Sequence, residues 1–218
     1  MKDVEFDTKI KWDIPLLDGY YSKILKNYSL IPSTHRKPFG LINTGIICEI
    51  VKKKYDACIV HGWNYVTAWL AFVVSTMTRT PFIIRAESPL NQELLKSKWK
   101  IAIKRIVLGL FFKYVDGFLA IGTQSKEFYE FYGAPKSKIY FVPYAIDNDR
   151  YTKVYDEFIH HKKGIKEEIG IPSDKIVISF AGKLIDVKRP LDLIKAFEKA
   201  ALTNAVLIFI GEGNLRKL

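Results

Sequence analysis

The sequence predicts an α/β chain: a Rossmann-like, parallel-sheet N-terminal domain followed by the start of a second Rossmann-like domain. Three observations predict it. Four short apolar runs, at 56–61 (DACIVH), 81–87 (PFIIRAE), 118–121 and 139–142, alternate with segments of helical period. That alternation implies βαβ units and a parallel sheet. A separate pair of runs, 176–180 (IVISF) and 205–210 (AVLIFI), leads into glycine turns at Ala181-Gly182 and Gly211-Glu212-Gly213. Between them, Arg189-Pro190 opens LDLIKAFEKAAL, whose apolar residues recur at helical spacing.

Composition sets the bounds. The chain has 218 residues, of which 49% are hydrophobic and 14% aromatic, so it can build real cores and disorder is not expected. There are 34 Lys and Arg against 23 Asp and Glu, a formal net charge of +11. Such a surplus suits an anionic partner: phosphate, nucleic acid or an anionic membrane. Part of it also serves solubility. Two cysteines, Cys48 and Cys58, make no metal-like spacing and no disulfide framework, which suits a reducing compartment. MKDVEFDTKIKWD has no apolar h-region, so no signal peptide is expected. The longest apolar stretch, 63–77, is interrupted by polar residues and too short to span a bilayer.

In chain order, residues 1–45 carry little periodic signal. Trp12, Ile14, Leu16, Leu17, Tyr20, Tyr21 and Leu25 are expected to cover a core, and Pro15, Pro32 and Pro38 mark loops. No opening strand and glycine turn is found, so the first strand of this domain is expected upstream of Met1. A short helix follows at 45–54. The strand at 56–61 ends in His61-Gly62-Trp63-Asn64, where Asn64 is placed to cap an internal helix at 65–78. After the strand at 81–87 comes one long helix, 90–115, closed by Asp116-Gly117. The strand at 118–121 leads through Gly122-Thr123-Gln124-Ser125 into a helix at 126–132, then the strand at 139–142. YAIDNDRYTKVY (144–155) reads as a connector, and 156–169 as a surface helix. The domains are therefore 1–146, a linker with its helix at 147–172, and a partial second domain at 173–218.

Function in parallel sheets gathers beyond the carboxyl ends of the strands. The ends to inspect are 61–64, 85–88, 122–125 and 143–147. The glycine turn after 176–180 delivers Lys183 and Lys188 just before a helix start. Gly182 would let a backbone approach a phosphate, and the two ammonium groups could neutralise a diphosphate. Gly211 and Gly213 put a second glycine turn at the same sheet edge. Lys183 and Lys188 equally fit solvated loop cations. Arg85 and Glu87 fall on one side of a strand end. They could line a cleft, binding substrate hydroxyls or stabilising charge, or pair with each other as a simple ion pair. His61 ends its strand as a structural histidine or a cleft residue. No metal site is expected, because no histidine or cysteine has ligand spacing. No P-loop and no nucleophile elbow is present. The segment 90–115 carries Lys96, Lys98, Lys100, Lys104, Arg105 and Lys113 among Trp99, Ile103, Ile106 and Leu110. It reads either as a core helix with a solvated basic face or as a membrane-surface helix.

FAGKLIDVKRPLDLIKAF followed by LIFIGEGN resembles the retaining glycosyltransferases of the GT-B fold, family 4, also called glycosyltransferase group 1. The C-terminal half of that family usually carries a glycine, a basic residue, a lysine five positions on and then a helix. Gly182, Lys183 and Lys188 match that pattern. The family commonly has arginine where this chain has Lys183, which loses bidentate geometry. It often has glycine where this chain has Arg189. KWDIPLLDGY, the strand ending RAES, and AIGTQSKEFYEFYGAPKSKIYFVPYAIDN resemble one bacterial subgroup. Many relatives carry histidine at the position of Glu87. The family's first strand with its glycine loop, and its Glu-x7-Glu segment, would lie before Met1 and after Leu218.

The resemblance implies sugar transfer from a nucleotide diphosphate sugar to an acceptor hydroxyl with retention, in cell-surface polysaccharide or glycolipid synthesis. In that reading Lys183, Lys188 and Glu87 are catalytic, while Arg85, His61, Asn64, Gly182, Gly211 and Gly213 bind substrate. No cofactor or metal is implied, since the two lysines serve the leaving diphosphate. The partners are the nucleotide sugar, a glycan or lipid-linked acceptor, and an anionic membrane surface. The expected location is the cytoplasm, including the inner face of the membrane. A non-catalytic membrane- or partner-binding module is the alternative. Nucleic-acid binding has no recognition motif to support it.

Overall fold

The computed structural model describes residues 2–3, 8–9 and 15–217. The chain separates into two compact units, Ser22–Ile146, and Met1–Tyr21 with Asp147–Leu218. Two short strands, β1 (Lys2–Asp3) and β2 (Thr8–Lys9), pair antiparallel. Trp12 and Ile14 lie outside the described residues. Leu16, Leu17, Tyr20 and Tyr21 are exposed rather than covering a core, and only Leu25 is half-buried.

In Ser22–Ile146 the elements are α1 (Gly45–Lys53), β3 (Cys58–His61), α2 (Val66–Thr78), β4 (Phe82–Arg85), α3 (Leu90–Glu93), α4 (Lys98–Lys113), β5 (Gly117–Ala120), α5 (Thr123–Phe131) and β6 (Ile139–Phe141). The strands form one parallel sheet in the order β3-β4-β5-β6. Each crossover carries a helix, as parallel pairing requires. Phe82 and Ile84 of β4 and Phe118 and Ala120 of β5 are fully buried. Phe112 of α4 packs edge-on against Phe118 at 4.9 Å, and Phe128 and Tyr129 of α5 complete the layer. Each such side chain contributes about 1.5–3 kcal/mol on leaving water.

The expected helix 90–115 is two helices. It breaks at 94–97, where Ser97 takes extended angles as the N-cap of α4. The break has a polar cause. The Glu93 carboxylate is buried, and it accepts hydrogen bonds from Lys96 (2.8 Å), Lys104 (2.8 Å) and the Tyr132 hydroxyl (2.8 Å). In one straight helix Glu93 and Lys104 would lie about 16 Å apart along the axis, so their contact requires the break. Burial works to raise the Glu93 carboxyl, but the bonds from Lys104, Lys96 and Tyr132 outweigh it and hold it at about 2. The helix at α2 is less internal than expected: Val73 and Met77 face solvent.

In the other unit, α6 (Asn148–Phe158), a 3-10 turn (Ile159–His161) and α7 (Lys162–Glu168) precede β7 (Ile176–Ala181), α8 (Pro190–Ala200) and β8 (Ala205–Ile210). Residues 148–155, expected as connector, are thus helical. The signal is local: the Asp147 side chain accepts from the Arg150 backbone N–H at 3.0 Å, capping the helix. Strands β7 and β8 pair in parallel over six residues each, with α8 as crossover. Pro190 at the first turn of α8 has no amide to leave unpaired. Ile171, Leu184 and Pro190 are the buried side chains among this unit's described residues.

Candidate functional site

A polar cleft of about 300 Å³ opens at the carboxyl edge of the four-stranded sheet. Strands β3 and β4 are registered so that His61 lies beside Arg85. The Gly62 amide donates to the Arg85 carbonyl at 2.8 Å, and Gly62 turns the chain at φ 74°. Those two strand ends supply His61, Trp63, Asn64, Arg85, Glu87 and Ser88 to the rim. Two further residues come from far away in sequence. Lys37 arrives on the loop 33–41, and Tyr144 on the segment after β6.

The loop reaches the cleft because it holds the start of α2. The Val66 amide donates to the Pro38 carbonyl (3.1 Å) and the Thr67 amide to the Leu41 carbonyl (3.3 Å). Backbone carbonyls therefore satisfy the orphan amides of the first turn. The N-cap is Tyr65, without a side-chain bond, so Asn64 is not the cap the sequence suggested. Asn64 is instead exposed at the cleft. The floor is rigid. Trp63 stacks on Phe128 at 5.9 Å, and the Trp69 indole N–H donates to the Trp63 carbonyl at 2.9 Å.

The Arg85 guanidinium lies 4.6 Å from the centre of the Tyr144 ring, a cation–π contact. Its Nε is buried and has no hydrogen-bond partner among the described residues. Among them, no ion pair joins Arg85 to Glu87. Ala86 between them is buried, while Glu87 is exposed and lines the same cleft as Arg85, so the two share a side without pairing. Glu87 and Ser88 also border a second cavity of about 590 Å³, lined further by Gln92, Thr123 and Gln124. Behind the cleft, Ser125 Oγ donates to the Ala86 carbonyl at 3.0 Å. Burial pushes the adjacent Tyr129 hydroxyl up, against the smaller pulls of the Ala86 backbone and the positive Arg85, so it stays neutral; it has no hydrogen-bond partner among the described residues.

In the other unit, β7 runs into Gly182, Lys183 and Leu184, and a 3-10 turn (Asp186–Lys188) carries Lys188 to the start of α8. Lys183 is half-buried and Lys188 exposed. The glycines there have a structural task. The Gly182 amide donates to the Ile210 carbonyl (2.9 Å), and the Leu184 amide to the Glu212 carbonyl (2.8 Å). A Cβ on Gly211 would sit 1.8 Å from the Gly182 carbonyl oxygen, and one on Gly213 2.2 Å from that of Leu184. Gly211 and Gly213 therefore let the two turns pack backbone to backbone, and the Gly182 amide is already engaged. Beside them lies a mostly apolar groove of about 510 Å³, lined by Leu184, Leu191, Ile194 and Phe209.

The sequence therefore marked His61, Asn64, Arg85 and Glu87, which the fold brings together. It marked Tyr144 only within the strand-end stretch 143–147, and it did not mark Lys37. Tyr144 follows a predicted strand end, which is a signal. Nothing local points to Lys37. Among the described residues, no group of three or more His, Cys, Asp or Glu side chains converges as a metal site would.

No protein-family model matches this chain, and no curated protein matches it. Solved structures do. Anabaena Alr3699/HepE in complex with UDP-glucose matches with a TM-score of 0.52 at 13% identity, over 78% of this chain and 44% of that one. Its complex with UDP gives 0.52 at 15% identity, over 75% and 43%, and that with UDP and glucose 0.51 at 13%, over 75% and 42%. The chain thus spans less than half the length of the structures it matches. At these identities the likeness shows the fold alone: a Rossmann-like parallel sheet of GT-B-like type.

Proposed function

We propose that the chain belongs to a family 4 GT-B glycosyltransferase and serves transfer of a sugar, with retention, from a nucleotide diphosphate sugar to an acceptor hydroxyl. The observation that carries the reading is the cleft at the carboxyl edge of the sheet, with Arg85 stacked on Tyr144, in a fold shared with a protein captured with UDP-glucose. Arg85, His61, Asn64 and Glu87 take the acceptor side. Glu87, at the rim, orients the acceptor hydroxyl as a hydrogen-bond acceptor. Lys183 and Lys188 neutralise the diphosphate as its negative charge grows in the transition state. Two ammonium groups can do this without a metal. The acceptor class is a glycan or a lipid-linked sugar.

The test uses UDP and UDP-glucose as probes, with calorimetry for binding and product detection for transfer. Lys188→Ala should weaken UDP binding about tenfold, a loss of about 1.4 kcal/mol. Arg85→Ala should leave UDP binding unchanged and lower transfer. No binding of UDP or of any other nucleoside diphosphate, or wild-type binding in Lys188→Ala, overturns the assignment.

A further inference from the structure

Helix α4 is apolar on two opposite faces. One holds Leu108, Phe111 and Phe112 in the core. The other carries Trp99, Ile103, Ile106 and Leu110, at i, i+4, i+7 and i+11, and these are 63%, 54%, 66% and 57% exposed. That spacing makes one continuous stripe along the helix. Leu95, 86% exposed, stands just before the helix begins. Scattered apolar residues on a surface are ordinary, but an aligned stripe of large ones marks a contact surface.

Charge decides what the stripe meets. Lys98, Arg105 and Lys113 flank it on one side and Lys100 on the other, and no Asp or Glu occurs between Leu94 and Val115. A second copy of this chain laid on the stripe would bring these cations against their own counterparts. An anionic bilayer meets both demands at once. Its headgroups pair with the flanking cations, and the stripe enters the boundary between headgroups and acyl chains, where Trp is favoured. Among the described residues no helix is long and apolar enough to cross a membrane, so contact here means lying on the surface.

We propose that the outward face of α4 is a docking surface for an anionic membrane. The inference stands on α4 alone and holds whatever reaction the chain serves. It has a consequence for the cleft. A groove of about 440 Å³ lined by Trp99, Ile103 and Val107 also includes Lys37, Trp63 and Asn64, which line the polar cleft. A docked α4 brings that cleft to headgroup level.

The test is co-sedimentation of the chain with vesicles of phosphatidylcholine alone and of phosphatidylcholine with phosphatidylglycerol, without nucleotide. Binding is expected only with phosphatidylglycerol. It should fall at least about tenfold when salt rises from about 0.1 M to about 1 M, which shortens the screening length from about 10 to about 3 Å. Ile106→Glu with Leu110→Glu, both solvent-facing and checked by circular dichroism, should abolish it. Lys98→Glu with Arg105→Glu, which keeps the stripe, should weaken it strongly. Absence of binding, equal binding to neutral vesicles, or wild-type binding by the Ile106→Glu/Leu110→Glu variant overturns the proposal. So does a dimer in light scattering that this variant breaks, because a second copy would then cover the face.

Discussion

Glu93 shows how one buried charge organises its surroundings. Its carboxyl sits at about 2 in the folded chain against an ordinary 4.5. Between those values the unfolded chain binds more protons than the folded one, so folding is favoured by rising pH there. The contribution is complete above 4.5 and is lost as pH falls through about 2. Acid unfolding followed by circular dichroism should therefore lose this component in Glu93→Gln. At neutral pH the same substitution should cost about 3 kcal/mol in denaturant unfolding, since Lys104 loses its buried counter-charge. Lys104 is held there in part by its neighbours, lying 4.8 Å from the Phe128 ring centre and 5.1 Å from that of Tyr132. Arg85 is the contrasting case: a charge met by an aromatic face instead of a carboxylate.

At the scale of elements, the pairing of β7 with β8 depends on the glycine turns at their carboxyl ends. The parallel register continues past the strand ends through the Gly182 and Leu184 amides. Gly211→Ala would force a methyl carbon to 1.8 Å from the Gly182 carbonyl. The turn must move, at a cost of about 1–3 kcal/mol. Hydrogen exchange should show faster exchange in β7 and β8, with β3 to β6 unchanged. Wild-type protection in β7 and β8 would show that the turns adapt freely. Helix α4 belongs to this scale too, because its two apolar faces need two different neighbours and the core supplies one.

For the whole molecule, stability is unevenly shared. The large buried cluster lies within Ser22–Ile146, built on Phe82, Phe112, Phe118 and Phe128. The other unit buries Ile171, Leu184 and Pro190 among its described residues. Phe112→Ala should therefore cost about 3–5 kcal/mol in the unfolding of Ser22–Ile146. The amides of β7 and β8 should exchange as in the wild type. Coincident loss of protection in both units would show a single cooperative block instead.

Strands β3 to β8 and most helices were legible in the sequence because their signal is local, whereas the short β1 and β2 were not. Apolar runs such as DACIVH and the glycines after 56–61, 118–121, 176–180 and 205–210 record period and turn chemistry within a few residues. The candidate residues at strand ends were legible for the same reason, since a parallel sheet has one functional edge. Three features needed the folded chain. The break between α3 and α4 lets Glu93 meet Lys104 while it accepts from Tyr132, far along the chain. Lys37 joins the cleft because its loop carbonyls satisfy the start of α2. Arg85 meets the Tyr144 ring because the segment after β6 returns to the cleft. Local pattern determined which segments form strands and helices and where the carboxyl ends of the strands fall. Only long-range closure decided which side chains share a cleft, because a partner distant in sequence leaves no trace in the period of either segment.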